Sequence, residues 1–278
     1  MYAIGSIIGD ICGSSYEFQN KGPVEEVELF RPGSKFTDDT VLTCAVADWL
    51  ASENNSTYTR ETLVDYIKRY ANTYKNAGYG GMFRKWLEAD RSDDYQSFGN
   101  GSAMRVAPVG YIATSMDDCL KKAEITAKTT HGHPEGIKGA QAIATAIFLA
   151  RKGLNKDGIK INLENLFDYN LDKELTQIGR HVHKFDATCQ VTVPEALICF
   201  FKSEDFGDCI KKSIEIGGDT DTIACMSGGI AEAYYGVPAY MIEKAKKLMD
   251  NNLLNALIKF SAKVDELSVF GSIPSYKL

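Results

Sequence analysis

Apolar side chains recur along this chain with the period of an α-helix. Leu42, Ala45, Val46, Trp49 and Leu50 fall at i, i+3, i+4, i+7 and i+8, one face of a helix. Leu63, Tyr66, Ile67, Tyr70 and Tyr74 repeat the pattern. So do Ile223, Met226, Ile230 and Tyr234, and then Leu253, Ala256, Leu257 and Phe260. Residues 135–150 are Ala-rich and apolar on most sides, which predicts a buried helix. Pro238 follows Tyr235-Gly236-Val237 and suits the first position of another. Alternation of apolar and polar residues is scarce. Val24 to Phe30 and Gln190 to Val193 read as short extended pieces, too few to build a sheet. The pattern therefore predicts an all-α protein of ten or more helices with long loops. Residues 153–160 are the expected surface connection, and no linker or internal repeat divides residues 1–278.

Composition narrows this only slightly. The 278 residues carry 31 Lys+Arg against 37 Asp+Glu, a net charge of −6, which argues against a nucleic-acid binder. The longest uncharged stretch, between Lys138 and Arg151, has twelve residues, short of the roughly 18–20 that cross a bilayer. The first ten residues lack a basic n-region and a long apolar h-region, so no secretory signal is expected. Seven cysteines, an odd number with no C-x-x-C pair, read as buried free thiols of a reducing cytoplasm.

Chemistry concentrates in two segments built alike. Phe36-Thr37-Asp38-Asp39-Thr40 precedes the helix over 41–51. Gly217-Gly218-Asp219-Thr220-Asp221-Thr222 precedes the helix over 223–235. Either alone reads as helix capping, because Thr and Asp oxygens accept from the orphan N–H groups of a first turn. One acid suffices for a cap, and a second beside it adds repulsion. The excess, seen twice in distant segments, points to a cation held between them. With only carboxylate and hydroxyl oxygens on offer, the ion is a hard one such as Mg²⁺ or Mn²⁺. Four aspartates balance two such ions, and a pair roughly 3.5–4 Å apart can hold a substrate oxygen or a water from both sides.

Three further segments offer groups to a ligand. Ser97-Phe98-Gly99-Asn100-Gly101-Ser102 can form a backbone anion nest or a plain turn before a helix. In Gly9-Asp10-Ile11-Cys12-Gly13-Ser14-Ser15-Tyr16-Glu17, small residues at 5, 9 and 13 read as a close-packed helix, with Glu17 facing a cleft or solvent. The histidines form two pairs, His131/His133 and His181/His183. Their spacing does not put both members on one helix face, and metal binding and a structural role both stay open. Thr130-His131-Gly132-His133-Pro134 is a loop, from which a histidine can reach a phosphate.

Together and in this order, these segments resemble the ADP-ribosylglycohydrolase family. The matching pieces are GDICGSSYEF at 9–18, FTDDT at 36–40, SFGNGSAMRVAP at 97–108, TTHGHPEGIKGA at 129–140, GGDTDTIA at 217–224 and AEAYYGVP at 231–238. The resemblance implies an all-helical fold with a two-metal cleft, usually Mg²⁺ and in some members Mn²⁺. It places the metal ligands on Thr37, Asp38, Asp39, Asp219, Asp221 and Thr222. The ADP-ribose loop falls on Gly99, Asn100, Gly101 and Ser102, the substrate-contacting histidine on His131, and the family's glutamate on Glu17. Asp38 and Asp39 then serve catalysis through the metals, with Glu17 orienting or deprotonating water or governing access. The implied reaction is hydrolysis of the bond between ADP-ribose and an acceptor, protein or small molecule, in the cytoplasm and away from membranes. Nucleic acid is not an expected partner, though an ADP-ribosylated nucleic acid stays open as substrate. Two rivals also stay open: a two-metal phosphohydrolase acting on nucleotide diphosphates, and a non-catalytic ADP-ribose binder. Acceptor choice would lie in loops such as 19–35 and 75–96, where Tyr79, Phe83, Arg84 and Trp86 line a rim or pack the core.

Overall fold

The computed structural model describes residues 1–17, 23–54, 57–89, 95–182 and 184–269. Among them the regular structure is helical, with no strand. In chain order the helices are α1 Ile4–Gly13, α2 Asp38–Ser52, α3 Arg60–Thr73, α4 Gly81–Glu88, α5 Gly101–Met104, α6 Ala107–Ile112 and α7 Met116–Lys128. They continue with α8 Pro134–Arg151, α9 Lys156–Phe167, α10 Cys189–Lys202, α11 Phe206–Glu215, α12 Thr220–Tyr235, α13 Ala239–Leu248 and α14 Asn251–Val269. Extended pairing is limited to one antiparallel bridge between Gly99 and Thr188. The all-α expectation holds, and each apolar stripe lies on a helix: α2, α3, α12, α14 and α8.

The helices start where side-chain chemistry starts them. Ser115, Asn155 and Asp205 accept hydrogen bonds from the third residue of their helices, and Thr59 and Thr62 cap reciprocally, each relieving an orphan N–H. Several expectations shift. Asp38, Asp39 and Asp221 lie inside the first turns of α2 and α12 rather than ahead of them, and Val24 to Phe30 runs through a bend and a turn rather than extended. Gln190–Val193 is not extended but forms the first turns of α10, because its apolar face is buried between α8 and α12 and burial outweighs β-propensity. The surface connection ends earlier than 160: Asn155 caps α9, which begins at Lys156. Pro238 stands one residue outside α13, at its N-cap.

The centre of the molecule is the pair α1 and α12, both almost wholly buried. Glycines let them touch backbone to backbone. A methyl group at Gly9 would stand 1.9 Å from the Ala224 carbonyl oxygen, one at Gly5 2.4 Å from that of Gly228, and one at Gly13 2.4 Å from that of Thr220. Both helices thus present a small surface every four residues, as the 5, 9, 13 spacing predicts. All seven cysteines are buried and free. No helix among the described residues is long and apolar enough to cross a membrane.

Candidate active site

Because α1 lies so close to α12, the residue after Gly9 reaches the start of α2. Asp10 is fully buried and accepts from four donors on that turn. Its Oδ2 takes the Thr37 N–H (2.9 Å), the Thr40 N–H (3.0 Å) and the Thr40 hydroxyl, and its Oδ1 takes the Thr37 hydroxyl (2.7 Å). Three of the four donors fall on Oδ2, which is fully engaged, while Oδ1 keeps a lone pair. Asp10 therefore anchors the acidic turn from behind. Thr37 also caps α2, its Oγ1 accepting from Asp39 N at 3.3 Å.

The second acidic segment behaves differently. Asp219 precedes α12 but makes no side-chain cap. Its Oδ2 instead accepts from Asn100 Nδ2 at 2.7 Å. Thr222 Oγ1 donates to Asp39 Oδ2 at 3.3 Å, joining segments 183 residues apart. Carboxylate oxygens of Asp10, Asp39 and Asp221 lie within 4.8 Å of one another, as do those of Glu17, Asp219 and Asp221. The two distant acidic stretches meet.

Crowding buried carboxylates raises their pKa values. Burial pushes Asp10 up to about 6, Asp38 to about 7 and Glu17 to about 8. Neighbouring Asp10 and Asp219 push Asp38 further, and Asp219 pushes Glu17. Asp39, Asp219 and Asp221 are raised too, burial again being the first cause. Among the described residues no lysine or arginine forms an ion pair with these six acids. Asp39 Oδ1 is buried with no hydrogen-bond partner. An orphaned carboxylate oxygen among uncompensated acids, with only oxygen donors at hand, fits a hard divalent cation.

These groups line a cleft of about 540 Å³, within the range of small-molecule sites. Glu17, Thr37, Asp38, Asp39, Asp219, Asp221 and Thr222 share its wall with Gly99, Asn100, Gly101 and His131. Ser102 is not on that wall; its buried hydroxyl donates to the Gly136 carbonyl at 2.7 Å. The loop before it is pinned from within. Gly99 N–H donates to Ser97 Oγ (3.1 Å) and Asn100 N–H to the Ala187 carbonyl (2.8 Å), which leaves Gly101 as the one residue of 99–101 on the cleft wall whose amide these bonds do not use. His133 caps α8, its Nδ1 accepting from Glu135 N at 3.1 Å. His181 closes a short 3-10 turn, and His183 lies outside the described residues. Phe83 lines the cleft, Tyr79 and Arg84 line an adjoining cavity of about 430 Å³, and Trp86 packs in the core.

Two residues of this site carried no role in the sequence reading. Asp10 had a legible signal, a carboxylate in a helix otherwise small and apolar. Arg105 had none, since an arginine after a glycine-rich turn usually reaches solvent. Here it is fully buried at the cleft floor.

Known proteins share this architecture. A solved structure described as an ADP-ribosylglycohydrolase-related protein complex superposes with a TM-score of 0.74 at 20% identity, over 96% of each chain. ADP-ribosylhydrolase ARH3 of Homo sapiens is 28% identical, over 84% of this chain and 84% of its own. ADP-ribosylarginine hydrolase Tri1 of Pseudomonas putida is 24% identical, over 95% of this chain and 78% of its own. The sequence profile of the ADP-ribosylglycohydrolase family matches residues 2–267, nearly the whole chain that builds the cleft, and the protein belongs to that family.

Proposed function

We propose that this chain is a cation-dependent hydrolase that releases ADP-ribose from an acceptor by cleaving the glycosidic bond at C1 of the distal ribose. One observation carries the reading: two acidic segments distant in sequence converge, with Glu17, on the wall of one cleft. Asp38, Asp39, Asp219 and Asp221, with Thr37 and Thr222, would hold two divalent ions, Mg²⁺ or Mn²⁺. Such ions supply positive charge that orients ribose hydroxyls and acidifies water.

The chain's own groups supply the rest. Asp10, held by four donors, fixes the turn bearing Asp38 and Asp39. Asn100 orients Asp219, tying the ligand loop to the acidic cluster. The 99–101 loop and His131, which line the cleft, would hold the diphosphate, so that remote binding energy serves orientation at the reacting carbon. Phe185 and Met82 add apolar surface to the cleft and suit a purine. Glu17, beside Asp219 and Asp221, orients the attacking water, takes its proton as the water oxygen bonds C1, and returns that proton to the acceptor atom as its bond to C1 breaks.

A release assay tests this directly. ADP-ribosyl-arginine and ADP-ribosyl-serine are offered side by side, with and without Mg²⁺ and Mn²⁺, and products are resolved. Free ADP-ribose plus unmodified acceptor is expected, with turnover lost on chelation. Asp38→Ala and Asp221→Ala should each lower turnover about a thousandfold or more while keeping the helical circular dichroism. AMP plus ribose phosphate as products, or near-normal rates in either variant, would defeat the reading.

A further inference from the structure

Arg105 is an uncompensated buried charge. Among the described residues it forms no ion pair with a carboxylate, and its Nε and Nη1 are buried without hydrogen-bond partners. Only Nη2 is engaged. It donates to the Thr126 carbonyl at 2.7 Å and to Thr130 Oγ1 at 2.9 Å. Thr130 Oγ1 in turn lies 2.6 Å from His131 Nδ1. Burying a charge in this way is costly, and helix packing alone does not require it here.

We infer that Arg105 and Thr130 form a one-way donor relay that locks His131 as a neutral imidazole with its proton on Nε2, turned toward the cleft. This deepens the proposed function and rests on it for the identity of the ligand. The direction follows from chemistry. A guanidinium only donates, so Thr130 Oγ1 accepts in that bond. The Tyr95 hydroxyl also hydrogen-bonds Thr130 and, as donor, fills the second lone pair of Oγ1, so the Thr130 proton goes to the acceptor at 2.6 Å, which is Nδ1. A ring nitrogen that accepts carries no proton, so the neutral ring bears it on Nε2. The opposite polarity would add another N–H to a pocket where two guanidinium nitrogens already lack acceptors. The Tyr95 and His131 ring centroids lie 5.8 Å apart. Burial, reinforced by the Arg105 charge, holds His131 well below the ordinary imidazole pKa, in keeping with a neutral ring.

The far edge of the ring meets the ligand loop. A methyl group at Gly101 would stand 3.1 Å from His131 Cε1 and Nε2, and one at Gly99 would stand 3.7 Å from Nε2. The Nε2–H therefore stands beside the Gly101 backbone on one wall of the cleft, a donor matched to an oxygen of a bound diphosphate. Arg105 and Thr130 are positioning residues: they act through His131.

The test is nitrogen-15 NMR of the full chain labelled at histidine, with His131→Asn identifying the resonances. Near neutral pH, His131 should show a pyridine-type Nδ1 and a pyrrole-type Nε2. Thr130→Val and Arg105→Met should lose that bias. Thr130→Val should weaken ADP-ribose binding about tenfold, and Thr130→Ser should restore both. A wild-type ring protonated on Nδ1, or on both nitrogens, overturns the relay even if no variant folds. So does a Thr130→Val chain with unchanged tautomer and affinity. A wild-type chain with the Nε2–H tautomer that binds no ADP-ribose upholds the relay and overturns the functional reading instead.

Discussion

Asp10 holds the acidic turn of α2 in place while facing other acids. Replacing it by Ala removes the acceptor of the Thr37 N–H, the Thr40 N–H and the Thr40 hydroxyl. Buried donors then go unsatisfied, which costs about 3 kcal/mol. Asp10→Ala should lower the urea midpoint accordingly, with the unfolding slope unchanged; a midpoint within error of wild type would remove its anchoring role. Glu232 is a second buried acid, outside the cleft. It accepts from the Gly5 N–H at 2.6 Å, and burial lifts its pKa from an ordinary 4.5 to about 8. An acid whose pKa rises on folding binds its proton more tightly in the native chain, so stability falls as pH climbs from about 4.5 to about 8. Glu232→Gln keeps the carbonyl acceptor and cannot ionise. Its melting temperature should fall less than that of wild type over this range, and parallel pH profiles would show that Glu232 does not titrate in it.

At the scale of elements, the contact between α1 and α12 sets the site's geometry. The spacing of small residues in 1–13 was readable, but its partner surface at 220, 224 and 228 was not, because only the fold pairs them. Gly9→Ala would drive a methyl group into the Ala224 backbone and separate Asp10 from Thr37 and Thr40. It should cost about 3 kcal/mol of stability and reduce turnover with it. Gly81→Ala, in the first turn of α4 with open space around it, should be neutral or stabilise by about 0.5–1 kcal/mol. Equal effects in denaturant titrations of the two variants would contradict the close-packing account. At α10 the alternating Gln190-Val191-Thr192-Val193 looks extended in isolation. Its helical outcome depends on burial against α8 and α12, information that no local window holds.

For the molecule as a whole, six acids in one cleft form a charge reservoir. Glu17, Asp38 and Asp10, with pKa values raised to about 8, 7 and 6, all bind protons more tightly folded than unfolded. Asp39, Asp219 and Asp221 move the same way. In chelator-stripped protein this stability is complete below the ordinary carboxylate range and is lost as pH rises through about 6 to about 8. Mg²⁺ or Mn²⁺, by binding the ionised acids, should raise the melting temperature, and most strongly at the alkaline end. A stripped protein whose stability is flat or rises with pH, or a cation effect independent of pH, would contradict the reservoir.

The linear sequence by itself determined the apolar stripes of α2, α3, α8, α12 and α14 and the two acidic doublets, because periodicity is decided within a few neighbouring residues. It also marked Glu17, His131 and the glycine-rich turn as chemistry-bearing. Only the tertiary structure decided how those groups are used. Asn100 turns to Asp219, 119 residues away, Ser102 turns to Gly136 and leaves the cleft wall, and Arg105 is buried beneath His131. Each outcome is a choice of hydrogen-bond partner in a dry interior. There an unpaired group costs more than any local preference can offset, and the partner is whichever residue the packing of distant helices brings within reach.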